Sequence, residues 1–160
     1  MDSTRRILLI GYGNPGRLDD GLGPALAAAV EKLQPAGVTV DSDYQLTVED
    51  ASDVAAHDIV IFADASTSGT EPYYVEAVAP KAALSFSSHS VEPAVLLHLA
   101  QTLFNAKTRG YILGIRGYEF NEFGERLSEP AARNLEKALQ YITLVLADPQ
   151  LLDSTSGASH

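Results

Sequence analysis

Two adjacent carboxylates, Asp19 and Asp20, directly follow a glycine-rich loop near the start of the chain. Asp64 ends the apolar run 58–64, and His89 lies among serines before an amphipathic stretch. Carboxylate oxygens and an imidazole nitrogen form a donor set suited to a divalent transition metal ion. The same groups can act as general acids or bases. Because these residues are far apart in the sequence, they can act together only if the fold brings them to one place.

The loop itself has the spacing G-x-G-x-x-G at Gly11, Gly13 and Gly16, which occurs in dinucleotide-binding loops. A pyrophosphate site needs a helix that begins at the glycines, so that free N–H groups point at the phosphates. Here Pro15 removes one donor, the helical pattern begins several residues later, and two carboxylates stand beside the loop. The sequence therefore argues against nucleotide binding.

Strand-like and helical patterns alternate along the chain. Apolar runs predict strands at 6–11, from 38, at 58–64, at 73–78 (an edge strand) and at 111–115. Helical spacing predicts helices at 24–33, from 47 or 48 to 56, at 91–104 after a cap near Ser90, and from a Ser128 cap to about 146.

This alternation predicts an α/β fold, a three-layer α/β/α sandwich with a twisted, mostly parallel sheet of about five strands. Ligands of such sheets bind outside the carboxyl ends of the strands. We therefore expect Asp20, Asp64 and His89 to meet at that edge, with Asp41 and Asp43 on the same edge.

Length and composition limit the possible classes of protein. The 160 residues predict one domain over 1–147, and the polar, small-residue-rich segment 148–160 is expected to be disordered. The formal net charge of −10 argues against binding to nucleic acid or to an anionic membrane. The lack of cysteine excludes thiol nucleophiles, disulfides and cysteine-based zinc sites. With no membrane span and no signal peptide expected, we predict a cytoplasmic protein.

Each candidate residue also has an ordinary structural explanation. An isolated aspartate at the end of a strand, such as Asp19 or Asp64, commonly caps a turn or a helix. An isolated histidine after serines, such as His89, is often a loop or capping residue. His57 is expected at a helix end, where a cation is favoured, and His98 is expected to be a structural or surface residue.

Taken together, five segments resemble the hydrogenase maturation proteases, which trim the C-terminal extension from the large subunit of nickel–iron hydrogenases. The last of them resembles the branch that serves the soluble, bidirectional hydrogenases. The segments are GYGNPGRLDDGLG (11–23), YQLTVEDA (44–51), IFADA (61–65), SSHS (87–90) and IRGYEF (115–120).

The resemblance implies that Asp20, Asp64 and His89 are the catalytic and metal-binding residues. Some members of the family have glutamate at the position of Asp20. The nickel would be supplied by the substrate, so no permanent cofactor is expected. The implied partner is the hydrogenase large-subunit precursor, and the protease is expected to be a monomer.

The residues leave several questions of role and mechanism open. Asp19 either caps the helix after the loop or supports a metal ligand. Gln45 and Glu49 are expected to contact the substrate tail or to support the structure, and Glu119 is a similar case. Arg116 is expected to pair with a carboxylate at this edge.

Two mechanisms and two functions also remain open. Nickel either activates the scissile carbonyl or a bound water, or it only docks the tail while Asp20 or Asp64 acts as general base. The alternative function is a non-proteolytic nickel-handling or chaperone module for the hydrogenase precursor.

Overall fold

The computed structural model describes residues 5–83 and 91–157. Within these ranges the strands are β1 (Ile7–Tyr12), β2 (Val38–Asp43), β3 (Ile59–Ser66), β4 (Tyr73–Val78) and β5 (Arg109–Arg116). The helices are α1 (Leu22–Leu33), α2 (Asp50–Ala55), α3 (Pro93–Phe104), α4 (Glu129–Ala147) and α5 (Leu151–Gly157), and a 3₁₀ turn at Leu18–Gly21 leads into α1.

The five strands form one sheet in the order β2-β1-β3-β5-β4. The pairs β1–β2, β1–β3 and β3–β5 are parallel, whereas β4 runs antiparallel to β5. Helices α1, α4 and α5 cover one face of the sheet, and α2 and α3 cover the other. This confirms the predicted three-layer α/β/α sandwich with a mostly parallel sheet, and β4 is the edge strand that the sequence predicted.

The central strands are buried on both faces. Leu9 and Ile61 face α1 and α4, whereas Leu8 and Phe62 face α2 and α3, and none of the four is more than 1% exposed. Successive side chains of a strand point to opposite faces, so a strand covered on both sides needs a continuous apolar run. No helix within the described ranges is long and apolar enough to cross a membrane.

Two glycines allow α1 to lie directly on the sheet. A Cβ atom at Gly11 would overlap the carbonyl oxygen of Gly23, and a Cβ atom at Gly23 would lie 2.5 Å from the carbonyl oxygens of Tyr12 and Ala63. Any side chain at either position would push the helix away from the strands. The close approach therefore fixes the first turn of α1, and the 3₁₀ turn before it, against the ends of β1 and β3.

The starts of three helices differ from prediction. Helix α1 begins at Leu22, because the 3₁₀ turn leads straight into it. Helix α2 begins only at Asp50, whose carboxylate accepts a hydrogen bond from the Thr47 N–H and holds the preceding residues in a turn. Helix α3 begins after Glu92 at its N-cap position, and the predicted cap Ser90 lies outside the described residues.

The C-terminal segment is folded through residue 157, so the predicted disorder over 148–160 is wrong for α5. Leu152 is 1% exposed and joins the core beneath α1 and α4. Asp153 accepts a hydrogen bond from the Tyr111 hydroxyl of β5 at 2.5 Å. Leu151 also packs against this core, so two leucines and one polar contact attach α5 to the rest of the fold.

We expect Leu152→Ala to lower the free energy of unfolding by about 2–4 kcal/mol, because it leaves a cavity in the core. Leu144→Ala in α4 is the matched control, since Leu144 is 61% exposed, and it should change stability by less than about 0.5 kcal/mol. Urea denaturation followed by circular dichroism measures both. Equal, small effects would show that α5 does not contribute to the core.

Candidate functional site

Asp19 is a fully buried carboxylate that joins distant parts of the chain. Its oxygens accept hydrogen bonds from the N–H groups of Tyr118, Glu119 and Ser128 at 2.7–2.9 Å, and from the Ser128 hydroxyl at 2.7 Å. The Asp19 N–H also donates to the carbonyl oxygen of Glu119 at 2.9 Å. The 3₁₀ turn is thereby tied to the connection between β5 and α4, where Ser128 also caps α4 as predicted.

The ionisation of Asp19 depends on these donors. Burial disfavours the charged form, but the hydrogen bonds from Ser128, Glu119 and Tyr118 outweigh it and hold the pKa of Asp19 below its usual value. Asp19 therefore stays ionised as an internal anchor. Asp19 does not cap α1, the first of the two roles left open by the sequence; its carboxylate instead binds the connection between β5 and α4.

Asp20 makes different contacts from its neighbour. One carboxylate oxygen accepts a hydrogen bond from the Asn14 N–H at 2.8 Å, and the Asn14 side chain accepts from the Gly16 N–H at 2.8 Å. The other oxygen of the half-buried Asp20 has no hydrogen-bond partner within 5–83 and 91–157. The glycine loop thus holds Asp20 by one oxygen and leaves the second available.

Asp64 lies on β3, opposite Gly114 of β5. The strand does not end there as predicted, because β3 keeps pairing with β5 as far as Ser66 after its pairing with β1 has ended at Ala63. One oxygen of Asp64 accepts a hydrogen bond from the Ala65 N–H at 2.8 Å. The side chain is half-buried on the sheet face that α2 and α3 cover.

The electrostatic environment of Asp64 favours its protonated form. Burial raises the pKa of Asp64 to about 6, and the negative charge of Asp20 adds to this effect. Hydrogen bonds from the Ala65 N–H and from Tyr12 act in the opposite direction but are weaker. The 3₁₀ turn that carries Asp20 packs against β3, and the effect of the Asp20 charge on the pKa of Asp64 agrees with that placement.

Two tyrosines flank Asp64. Burial and the charge of Asp64 raise the pKa of Tyr12, whereas burial, Glu76 and Asp64 raise the pKa of Tyr74 on β4. Both phenols therefore remain protonated at neutral pH and can donate hydrogen bonds. Sequence reasoning did not single out either tyrosine.

The other residues expected at this edge of the sheet differ in whether their side chains make contacts. Gln45 and Glu49 are exposed, and the exposed Glu119 contributes through its backbone. Arg116 does not pair with a carboxylate within the described ranges, contrary to expectation. It donates instead to the carbonyl oxygens of Gly69 and Gly117.

The histidines separate into three cases. His89 lies outside the described residues, so its place in the triad stays a prediction. His57 lies at the end of α2 as expected, with its ring nitrogens 2.7 Å from the Asp53 carbonyl oxygen and 2.9 Å from the Thr39 hydroxyl. His98 is half-buried on α3, in keeping with a structural or surface role.

A second acidic group lies beside α2. One carboxylate oxygen from each of Asp41, Asp50 and Asp53 lies within 4.8 Å of the others. Burial raises the pKa of Asp50, and the neighbouring aspartates contribute to the same shift. Sequence reasoning placed Asp41 at this edge of the sheet but did not predict the group.

The arrangement of the glycine loop does not fit a dinucleotide site. Helix α1 begins at Leu22, well after Gly16, so its first N–H groups do not lie at the glycines. Gly13 has φ of +141° and donates from its N–H to the Asp43 carbonyl oxygen, so it shapes the turn that leads to Asp20.

No protein-family model matches the chain, and no curated protein matches it by sequence. Solved structures match it by fold. HycI, a [NiFe] hydrogenase maturation protease from Thermococcus kodakarensis KOD1, is 21% identical with a TM-score of 0.70, over 92% of this chain and 96% of that chain. The hydrogenase maturating endopeptidase HybD from E. coli is 21% identical with a TM-score of 0.64, over 90% and 93%.

A third structure, the hydrogenase 2 maturation peptidase from Thaumarchaeota archaeon SCGC_AB-539-E09, is 20% identical with a TM-score of 0.64, over 89% of this chain and 99% of that chain. The chain therefore has the fold of the hydrogenase maturation proteases, and the similarity covers nearly the full length of this chain and of each matched chain. This confirms the fold that the resemblance of the five segments implied.

We expect Asp19→Ala to lower the free energy of unfolding by about 3–5 kcal/mol at pH 7, because it leaves buried donors without an acceptor. The neighbouring Asp20→Asn is the control and should change it by less than about 1 kcal/mol. Folding lowers the pKa of Asp19. Its contribution to the free energy of unfolding is therefore complete above the unfolded-state pKa of about 3.8 and is lost as the pH falls below that value. Urea denaturation at several pH values tests this, and a similar cost for both variants would contradict the anchor role.

The raised pKa of Asp64 predicts the opposite pH dependence. Below about pH 3.8, Asp64 is protonated in both the folded and the unfolded state and does not affect stability. As the pH rises from about 3.8 to about 6, ionisation favours the unfolded state, so the free energy of unfolding falls. Asp64→Asn should therefore stabilise the protein by about 2–3 kcal/mol more at pH 8 than at pH 4. A gain that is the same at both values would contradict the shift, and NMR titration should show the pKa of Asp64 falling in Asp20→Asn.

Proposed function

We propose that this protein is an endopeptidase that removes the C-terminal extension of a nickel–iron hydrogenase large subunit after nickel insertion. The observation that carries the proposal is the placement of Asp20 and Asp64 at the carboxyl ends of β1 and β3, where the 3₁₀ turn with Asp20 packs against β3. The shared fold and the five resembling segments point to the same activity.

The proposed role of Asp20, Asp64 and His89 is to recognise nickel that the substrate carries. Two carboxylates and an imidazole are an acceptable donor set for a divalent transition metal. Asp20 has a carboxylate oxygen without a partner in the described part of the chain, so it can bind a cation without breaking the loop. A set without thiolates suits transient contact with a metal that is held by the substrate, and the chain has no cysteine.

His89 enters the proposal through the resemblance and through its place in the sequence. Val91, two residues later, is buried on the same face of the sheet as Asp64, and its N–H donates to the Leu46 carbonyl oxygen at 3.2 Å. The described chain therefore resumes close to this edge of the sheet. This supports the inclusion of His89 in the triad.

In the proposed mechanism, nickel contact docks the precursor so that the scissile peptide lies beside Asp20 and Asp64. One of these carboxylates accepts a proton from the attacking water and returns it to the leaving amine. The specificity for nickel-loaded precursor then arises because only the loaded form brings the peptide to the carboxylates. We further propose that the enzyme acts as a cytoplasmic monomer on the large-subunit precursor.

The direct test is to incubate the purified protein with nickel-loaded and nickel-free large-subunit precursor. We expect a mobility shift of the precursor only in the loaded form, and mass spectrometry of the product locates the cut. Binding of the loaded precursor without cleavage would instead support the non-proteolytic nickel-handling or chaperone module. Equal cleavage of both forms would contradict nickel recognition.

The site assignment predicts that Asp20→Asn, Asp64→Asn and His89→Ala each lower the cleavage rate by about 100-fold or more, with the fold retained by circular dichroism. Asp58→Asn is the matched control for the carboxylates, because Asp58 precedes β3 at the other end of the strand and is exposed. His98→Ala is the control for His89→Ala. Wild-type rates in all three site variants would show that the site is wrong.

A further inference from the structure

The ring of Tyr74 lies in a slot between two glycines. A Cβ atom at Gly69 would stand 2.8 Å from the ring carbons Cδ2 and Cε2, and a Cβ atom at Gly114 would overlap the ring. Arg116 donates to the Gly69 carbonyl oxygen at 2.9 Å, which holds that wall of the slot. The ring can occupy this position only because neither glycine carries a side chain.

The slot directs the Tyr74 hydroxyl toward Asp64. Tyr74 pairs with Gly114 across β4 and β5, and Gly114 pairs with Asp64 across β5 and β3. The Tyr74 hydroxyl oxygen lies 2.8 Å from where a Gly114 Cβ would be, so the side chain crosses over β5 on the face that carries Asp64. Adjacent strands of a sheet lie about 4.8 Å apart, so the hydroxyl over β5 points toward the neighbouring strand β3 at the position of Asp64.

The Tyr74 hydroxyl is available to a ligand. It makes no hydrogen bond within residues 5–83 and 91–157 and is not among the fully buried atoms that lack a partner there, so it is accessible. Tyr12 on the other side of Asp64, by contrast, already interacts with that carboxylate. Arg116 is occupied by backbone carbonyl oxygens. Tyr74 is therefore the donor in this part of the described site that is left for a substrate.

The chemistry of peptide hydrolysis needs such a donor. Attack by water moves the carbonyl π electrons onto the carbonyl oxygen, which becomes negatively charged. The carboxylates of Asp20 and Asp64 can only accept hydrogen bonds when ionised, and they repel that charge. A neutral hydroxyl held in place by packing can donate to the oxygen without reorganising.

We propose that Tyr74 is a catalytic residue, whose hydroxyl donates a hydrogen bond to the carbonyl oxygen of the scissile peptide. This inference rests on the proposed function. The water oxygen bonds to the carbonyl carbon, and its proton passes to a carboxylate. When the C–N bond breaks, the amine takes up that proton and leaves, and the carbonyl re-forms as the new C-terminal carboxyl group. Tyr74 keeps its own proton throughout.

The test is Tyr74→Phe in steady-state cleavage of nickel-loaded precursor, because phenylalanine keeps the ring in the glycine slot and removes only the hydroxyl. We expect kcat to fall about 100-fold while KM changes less than about twofold, since the hydrogen bond strengthens mainly in the transition state. Tyr73→Phe is the matched control. Its ring lies on the opposite face, 5.2 Å from that of Tyr141, and it should keep the wild-type kcat.

Several outcomes would overturn the inference. Wild-type kinetics of Tyr74→Phe would show that the hydroxyl is not used, and a raised KM with unchanged kcat would show ground-state binding instead. An equal loss of kcat in Tyr73→Phe, or a lowered melting temperature of Tyr74→Phe, would indicate a general structural effect. If the wild-type protein leaves the loaded precursor intact, the proposed function itself fails, and the inference fails with it.

Discussion

The candidate site depends on a buried carboxylate that is not one of its proposed reacting groups. Asp19 is an internal anion whose four hydrogen-bond donors come from Tyr118, Glu119 and Ser128. A buried charge without such donors would be strongly unfavourable, so the turn that carries Asp19 can adopt only the position where the donors converge. The same turn carries Asp20, so this anchor also positions the neighbouring residue that is proposed to contact nickel.

Around this anchor, glycines permit contacts that no other residue would allow. Gly11 and Gly23 bring α1 onto the sheet, which places the turn against the ends of β1 and β3. Gly69 and Gly114 form the slot that holds Tyr74 over β5. The two pairs fix the two sides of the site, the first on the side of Asp20 and the second on the side of Asp64.

The assembled site is acidic enough to oppose its own ionisation. Asp64 is held at a pKa of about 6 by burial and by the charge of Asp20. Carboxyl groups with shifted pKa values are common in functional sites, where residues are arranged for function at some cost in stability. Under the proposed function, the substrate's nickel relieves it, because a cation between the carboxylates stabilises both charges.

The sequence by itself determined the order of strands and helices from β1 to α4, the mostly parallel sheet and the edge strand β4, and it placed Asp20 and Asp64 after strands that end at the same edge. These follow from local periodicity and from the rule that parallel strands end at one edge. Only the tertiary structure decided the role of Asp19, whose partners lie 99 to 109 residues away in the chain. The same holds for the folding of α5 and the donor role inferred for Tyr74. Each depends on contacts between segments that are distant in the sequence, and local sequence patterns do not specify such contacts.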